Sequence, residues 1–280
     1  MIIENLKFVI YSLIIVLISK YILVKLLRNI GESLNLSSKI VGEISGFATS
    51  IPELLTVTFS AFSGLLSASL YNIFSSNIIN SIQYAVSLKM AENQKYLKSK
   101  IIKIDVILVF ATILIPALLL LFNLEFTLNI VLFFILLFIV FYRISYRSHK
   151  IHESKFDNNE DDKKEKLKQK NKIWLIIKYF ICLILVGIVL FIVGDKLGVV
   201  LENLARSFGV SEVIIGIALG FITSIPEMIT FSEAQKYHTQ NEESEDEWGV
   251  IEATNNLLLS NMFNLFIIQS VGVVIFMIMS

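Results

Sequence analysis

Long apolar runs alternate with short polar connections along most of the 280-residue chain. A membrane-spanning helix needs about 20 mostly apolar residues, and eight stretches meet that requirement. The apolar residues are continuous rather than alternating, which indicates helices and not barrel strands. The pattern therefore predicts an all-α membrane protein with eight spans, at about residues 8–27, 37–62, 65–90, 103–122, 126–146, 172–197, 210–234 and 252–279.

Two polar segments interrupt these runs. Residues 147–171 are rich in Lys, Glu and Asp and predict a linker between a five-span unit, 1–146, and a three-span unit, 172–280. Residues 242–247 form an acidic run before the last span. We interpret this run as a solvated loop rather than a cation sensor, because it lacks the ligand spacing of an EF-hand.

The composition supports the membrane class. The chain is 55% hydrophobic and 17% charged, whereas about a quarter of the residues of a soluble domain are charged. The formal net charge is zero, so nothing indicates a nucleic-acid partner. The single cysteine, Cys182, cannot build a disulfide framework. His149, His152 and His238 lie in polar connections and are predicted to be solvated.

Lys and Arg residues cluster in the loop between spans 3 and 4 and at both ends of 147–171. Because such residues favour the cytoplasmic side, we predict that both segments are cytoplasmic and that the N-terminus faces out, in the plasma membrane of a prokaryote. No small-residue cleavage site follows the first apolar run, so we interpret it as a retained span and not a signal peptide.

An eight-residue motif occurs twice in the chain. Residues 46–53 read GFATSIPE and residues 220–227 read GFITSIPE, with seven of the eight positions identical. A second pattern, N-x-x-x-S-N-x-x-N, begins at Asn72 and again at Asn256. Five spans precede the linker, so the two halves enter the membrane from opposite sides. Inverted repeats of this kind are a common plan of secondary transporters.

Each motif places a glutamate near the middle of an apolar span. A charge at that depth costs roughly 2.5–3.5 kcal/mol, so Glu53 and Glu227 need a cation, a proton or water. The preceding proline removes a backbone donor and breaks the helix. Carbonyl groups near Gly46 and Gly220 can then turn towards an ion.

Side-chain oxygens accompany both glutamates. Hard cations take oxygen ligands, and Ca²⁺ accepts six to eight of them. Neither motif contains Cys, Met or His, which argues against copper or zinc. A polar stripe on a single membrane helix usually joins helices, so the prediction depends on the doubling. The candidate cation-binding residues are Glu53, Glu227, Thr49, Thr223, Ser50, Ser224, Ser76, Ser260, Asn80, Asn264, Asn72 and Asn256, with the Gly46 and Gly220 carbonyls.

These doubled motifs resemble the two alpha repeats of the sodium/calcium exchanger family, within the cation/calcium antiporter superfamily. The resemblance covers all eight spans and implies an alternating-access antiporter without a cofactor. By motif position, Glu53 and Glu227 would be the central calcium ligands, completed by Asn80 and Asn264. The resemblance also implies flanking sodium sites lined by Thr49, Ser50, Thr223, Ser224, Ser76 and Ser260.

The chain departs from the family pattern in several places. Sodium-coupled members typically carry an aspartate where this chain has Asn264, which leaves proton coupling open. Members usually have ten spans, so the second repeat lacks its last two helices. Ser75 and Leu259 stand where the family usually has glycine. Glu43 has no counterpart in the second half, and we interpret it as an interfacial carboxylate rather than a proton carrier.

The sequence thus predicts a secondary-active antiporter that exchanges Ca²⁺ for Na⁺ or H⁺. Two alternatives remain: exchange of Mn²⁺ or Mg²⁺ for protons, and a degenerate paralogue with an interaction role. No nucleophile–base pair, phosphate-binding glycine loop or metal-hydrolase motif occurs in the spans, so an enzyme is not predicted. The expected partners are the lipid bilayer and inorganic cations, and the sequence leaves the oligomeric state open.

Overall fold

The computed structural model is built almost wholly from helices. It describes residues 2–23, 25–26, 29–30, 37–122, 127–156, 169–208, 211–240 and 246–279. The middle of the predicted linker, 157–168, and most of the acidic run, 242–245, lie outside the described residues.

Six α-helices of the first half have bounds within the described residues. α1 continues into a π-helical turn at Ser19–Leu23, and a short 3₁₀ helix, Gln94–Lys98, precedes α5. The helices are α1 (Ile2–Ile18), α2 (Ser38–Thr49), α3 (Ile51–Phe62), α4 (Leu66–Met90), α5 (Lys100–Leu121) and α6 (Leu128–Phe156).

The second half repeats the order of the first three spans. A π-helical turn at Phe263–Ile268 joins its last two helices into one span. These helices are α7 (Gln169–Phe208), α8 (Glu212–Thr223), α9 (Ile225–Gln240), α10 (Asp246–Met262) and α11 (Gln269–Met279).

The helices confirm the predicted membrane architecture. Seven segments of the described residues are long and apolar enough to cross a bilayer. α4 covers the predicted span 65–90 and is also long enough, with 25 residues, but its Asn, Ser and Gln side chains give it a lower hydropathy than the other seven. α6 extends to Phe156 and so continues into the segment predicted as a linker.

Both motif helices are interrupted at one residue, as the prolines predicted. Ser50 separates α2 from α3 and Ser224 separates α8 from α9, with nearly identical dihedral angles of φ −82°, ψ 0° and φ −80°, ψ −2°. The Ser50 N–H still donates to the Gly46 carbonyl at 3.3 Å. The interruption is therefore a local kink at the start of each glutamate-bearing helix.

The first half of each motif helix packs against the other half of the chain. A Cβ added at Gly46 would lie 2.6 Å from the Asn256 carbonyl oxygen on α10, and one at Gly220 would lie 2.7 Å from the Asn72 carbonyl oxygen on α4. Small residues let membrane helices approach this closely. The close approach that these glycines permit is thus to the backbone of the facing helix.

The two Asn/Ser helices run antiparallel. Asn80 contacts Asn261, Asn77 contacts Asn264, and Ser69 lies opposite Gly272. As the residue number falls along α4, the number of its neighbour rises along the α10–α11 span. The antiparallel order is the one that an inverted repeat requires.

Candidate cation site

Glu53 and Glu227 lie in the first turns of α3 and α9 and are completely buried. A helix N-terminus favours a negative charge because its N–H groups point outward. The Glu53 carboxyl faces the hydroxyls of Thr223 and Ser76. The Glu227 carboxyl faces those of its counterparts, Thr49 and Ser260. Each carboxyl group therefore meets one hydroxyl from each half of the chain.

The Ser260 hydroxyl contacts three other polar side chains of the site. Its Oγ lies 3.0 Å from Ser50 Oγ, donates to Glu227 Oε1 at 3.3 Å and accepts from Asn80 Nδ2 at 3.4 Å. Its counterpart Ser76 donates to the Gly220 carbonyl oxygen at 3.4 Å. The serines of the Asn/Ser helices thus connect the two motif kinks to the carboxylates.

Thr56 fixes the orientation of the Asn72 amide. The Thr56 hydroxyl donates to the Glu53 carbonyl oxygen at 3.0 Å, so its oxygen can only accept from Asn72. The Asn72 Nδ2 atom donates to it at 2.6 Å. This leaves Asn72 Oδ1 without a hydrogen-bond partner among the described residues.

The second half repeats this arrangement. Thr230 donates to the Glu227 carbonyl oxygen at 2.9 Å and accepts from Asn256 Nδ2 at 2.7 Å. Asn256 Oδ1 likewise has no partner in the described part of the chain. The hydrogen bonds of Thr230 therefore orient the Asn256 amide in the same way as those of Thr56 orient the Asn72 amide.

A reciprocal asparagine pair orients the amides of Asn80 and Asn264. Asn77 and Asn261 each donate through the side-chain Nδ2 to the other's main-chain carbonyl oxygen at 3.1 Å. Their Oδ1 atoms therefore accept, from Asn264 Nδ2 at 3.3 Å and from Asn80 Nδ2 at 3.2 Å. The Oδ1 atoms of Asn80 and Asn264 remain without partners within the described residues.

Seven of the twelve predicted side chains have an unmet capacity to accept hydrogen bonds within the described residues. An unsatisfied buried polar group costs about 1–3 kcal/mol, whereas a Ca²⁺ ion takes six to eight oxygen ligands. Eight of their buried oxygens lack a partner in the described structure: Glu53 Oε1 and Oε2, Glu227 Oε2, Ser224 Oγ, and the Oδ1 atoms of Asn72, Asn80, Asn256 and Asn264.

The composition of the site selects the kind of cation. No group of three or more His, Cys, Asp or Glu residues is gathered within the described ranges. The polar groups gathered around the kinks are two carboxylates and neutral amides, a set that would suit a hard cation and not a soft transition metal.

The predicted backbone ligands are engaged within the kinks. The Gly46 carbonyl oxygen accepts from the Ser50 N–H, from Thr49 Oγ1 at 3.2 Å and from Ser50 Oγ at 3.0 Å. The Gly220 carbonyl oxygen accepts from Ser76 and from the Ser224 N–H at 3.2 Å. Their role as cation ligands stays a prediction.

Four supporting residues have no role in the sequence-based site. Thr56 and Thr230 hold one pair of amides, while Asn77 and Asn261 hold the other. All four recur at the same offsets as the glutamates and serines. That recurrence was the available signal, but only the packing reveals which groups they orient.

Glu43 and His149 belong to a separate polar cluster. The prediction that His149 is solvated is wrong: it is 3% exposed, and its Nε2 lies 2.7 Å from Asp105 Oδ2. The error arises because α6 continues past residue 146 and carries His149 against α5. Glu43 is also largely enclosed, with 17% of its side chain exposed and Lys39 Nζ at 3.7 Å.

Comparison with known proteins agrees with this architecture. The family model described as "Sodium/calcium exchanger protein" matches residues 5–147. A structure of the sodium-calcium exchanger NCX_Mj, soaked with 2.5 mM Na⁺ and 1 mM Sr²⁺, matches 99% of this chain and 83% of its own, with 20% identity and a TM-score of 0.55. The H⁺/Ca²⁺ exchanger CAX matches 97% of this chain and 69% of its own, with 15% identity and a TM-score of 0.62.

These structural likenesses establish the fold. A search of curated proteins gives no match.

Proposed function

Because the chain belongs to the sodium/calcium exchanger family, we propose that it is a secondary-active antiporter that binds Ca²⁺ between Glu53 and Glu227. The observation that carries this proposal is the set of eight unpartnered oxygens within the described structure, contributed by two carboxylates, four amides and a hydroxyl. Two ionised carboxylates balance the charge of one Ca²⁺ ion. Retaining them in a membrane span without a cation or protons would cost several kcal/mol.

The proposed organisation has two inverted repeats, 1–146 and 172–280, joined by a cytoplasmic linker at 147–171. The antiparallel course of α4 and the α10–α11 span supports the inversion. Clustered Lys residues support a cytoplasmic position for the loop between α4 and α5. The N-terminus would then face out.

The proposed movement involves α1 and α7. These helices pack on each other, and they also contact α8 and α3, the helices of the two motifs. Buried apolar residues such as Ile15, Leu190 and Leu219 fill this contact. Smooth apolar packing offers few hydrogen bonds to break, so α1 and α7 can slide against the motif helices as the site changes access.

Protons are the counter-ions that the site chemistry favours. Two protons neutralise the same two carboxylates that one Ca²⁺ neutralises, which gives an electroneutral exchange. Asn80 and Asn264 add oxygens but no further negative charge to compensate additional Na⁺ ions. Na⁺ is the second candidate, because the hydroxyls of Ser50, Ser260 and Ser224 lie beside the carboxylates or the kinks.

Transport in vesicles tests this proposal. Purified protein is reconstituted, and uptake of radioactive Ca²⁺ is measured at clamped membrane potential with a pH gradient alone and then a Na⁺ gradient alone. We expect the pH gradient to drive uptake, Glu53→Gln and Glu227→Gln to abolish it, and the exposed Glu233→Gln to leave it intact. Uptake by neither gradient, or unchanged uptake in Glu53→Gln, would overturn the proposal.

Competition identifies the preferred divalent cation. Ca²⁺ should inhibit its own tracer uptake at lower concentrations than Mn²⁺ or Mg²⁺ does, because eight neutral and charged oxygens suit its larger coordination number. Stronger inhibition by Mn²⁺ would favour a manganese exchanger with the same site.

A further inference from the structure

Three buried polar side chains extend beyond the site just described. Ser60, Ser69 and Gln269 have exposures of 1%, 0% and 2%. The two Oγ atoms, and both Oε1 and Nε2 of Gln269, lack hydrogen-bond partners within the described residues. An apolar side chain at any of these positions would avoid that cost, which is about 1–3 kcal/mol for each unsatisfied group.

The packing of α11 on α3 and α4, together with helical periodicity, places the three side chains along one line. A Cβ added at Gly272 would lie 3.0 Å from Ser69 Oγ and 2.7 Å from Val57 Cγ1. Gln269 is one helical turn before Gly272, and Ser60 is one turn after Val57, so each shares the face of its neighbour.

The antiparallel register connects this line to the central site. Ser69 lies opposite Gly272, and the two helices are antiparallel. Asn72, three residues after Ser69, therefore lies level with Gln269, three residues before Gly272. In the other direction the line leads to the Ser63–Gly64 turn between α3 and α4. Polar groups thus continue from an unpartnered ligand oxygen of the site, Asn72 Oδ1, to one end of the bundle.

The opposite end of the bundle lacks this polar line. The second motif lies 174 positions after the first, so the residue that corresponds to Ser60 is Ala234. The second Asn/Ser pattern lies 184 positions after the first, so the residue that corresponds to Ser69 is Ala253. Both alanines are buried in an apolar cluster with Phe231. The inverted repeat is therefore asymmetric in the groups that flank its site.

Three polar side chains at that opposite end are instead hydrogen-bonded to one another. Gln235 donates through Nε2 to Ser87 Oγ at 2.9 Å and accepts from Asn93 Nδ2 at 3.3 Å. These three side chains therefore have partners, whereas Ser60, Ser69 and Gln269 have none within the described residues.

We propose that Ser60, Ser69 and Gln269 line an access route for water and a partly hydrated cation, from Asn72 to the membrane face that carries the Ser63–Gly64 turn. Protein encloses the route in this conformation. In addition to the sliding of α1 and α7, a separation of α11 from α3 and α4 would let water satisfy the groups. Neutral oxygens can pass a cation onward, because the two carboxylates of the central site bind it more strongly. Only the identity of the passing ion rests on the proposed function.

Cysteine accessibility tests the route. The sole native cysteine is first removed by Cys182→Ser, and single cysteines are introduced by Ser60→Cys, Ser69→Cys and Gln269→Cys. The matched controls are Ala234→Cys and Ala253→Cys at the mirror positions, and Ser63→Cys identifies the face that carries the turn. A membrane-impermeant thiosulfonate reagent is then applied to each face of cation-free vesicles.

We expect the three route positions to react at least roughly tenfold faster than the two alanine positions, which corresponds to about 1.4 kcal/mol. The reaction should occur from the face on which Ser63→Cys is labelled, and Ca²⁺ should slow it. Equal rates at route and mirror positions, or faster reaction from the opposite face, would overturn the proposal. Should Gln269→Cys fail to fold, the near-isosteric Ser60→Cys and Ser69→Cys variants decide the outcome.

The labelling result separates this proposal from the function. Fast labelling without gradient-driven flux would support the access route and contradict the antiporter function. Slow labelling with gradient-driven flux would support the antiporter function and contradict the access route. Gln269→Leu adds an independent readout, since it should slow uptake while equilibrium Ca²⁺ binding in detergent stays unchanged.

Discussion

The Thr56 hydroxyl is not one of the proposed cation ligands, and replacing Thr56 by valine removes it. Valine keeps the shape of threonine, but the Asn72 amide nitrogen loses its acceptor at 2.6 Å and the Glu53 carbonyl loses a donor. An unsatisfied buried donor costs about 1–3 kcal/mol. The Asn72 amide can reduce this cost by turning away, which removes its oxygen from the site.

The expected result is a Ca²⁺ affinity roughly 10- to 100-fold lower, the range seen when residues that orient metal ligands are removed. Isothermal titration of the purified protein measures the affinity, and a thermal melt confirms folding. Thr56→Ser keeps the hydroxyl and should bind nearly as the wild type does. Thr58→Val, which points to another face of α3, serves as the matched control.

The symmetry of the site gives a second arm to the same experiment. Thr230→Val should weaken binding to a similar extent, because Thr230 holds Asn256 at 2.7 Å in the same manner. Affinity within twofold of wild type in both valine variants would refute the reasoning, since the asparagine oxygens would then not depend on their threonine partners.

Three further predictions follow from other contacts. Gly46→Ala places a Cβ 2.6 Å from the Asn256 carbonyl oxygen, so the melting temperature should fall by an amount equivalent to about 1–3 kcal/mol, whereas Gly187→Ala, with nothing within 4 Å, should leave it unchanged. Asn264→Asp adds a third carboxylate, so the ratio of Na⁺-driven to proton-driven Ca²⁺ uptake should rise; an unchanged ratio contradicts the role given to this position. Asp105→Leu deprives buried His149 of its partner at 2.7 Å, and thermal melts should show a loss of about 1–3 kcal/mol that His149→Leu partly restores.

The helices and the two kinks could be predicted because their causes are local. Long apolar runs give spans, and the proline after each Thr-Ser pair interrupts the motif helix. The duplication of the motif identified both glutamates. α4 was predicted as the span 65–90 from its apolar positions, although its Asn, Ser and Gln residues lower its hydropathy.

The orientation of the proposed ligands could not be predicted because it depends on packing between the two halves. The Asn77–Asn261 pair joins residues 184 positions apart, and only this contact determines which atoms of Asn80 and Asn264 face the site. The burial of His149 depends similarly on α6 lying against α5. A local pattern shows neither the partner nor the depth of such a residue.

Equilibrium binding of radioactive Ca²⁺ to the purified protein tests the central claim most directly. Wild type and Glu233→Gln should bind one Ca²⁺ ion per chain with the same affinity. Glu53→Gln and Glu227→Gln should each bind at least roughly 30-fold more weakly, because losing a buried charged partner costs about 2 kcal/mol or more. Wild-type affinity in either glutamine variant would contradict a calcium site formed by these two carboxylates.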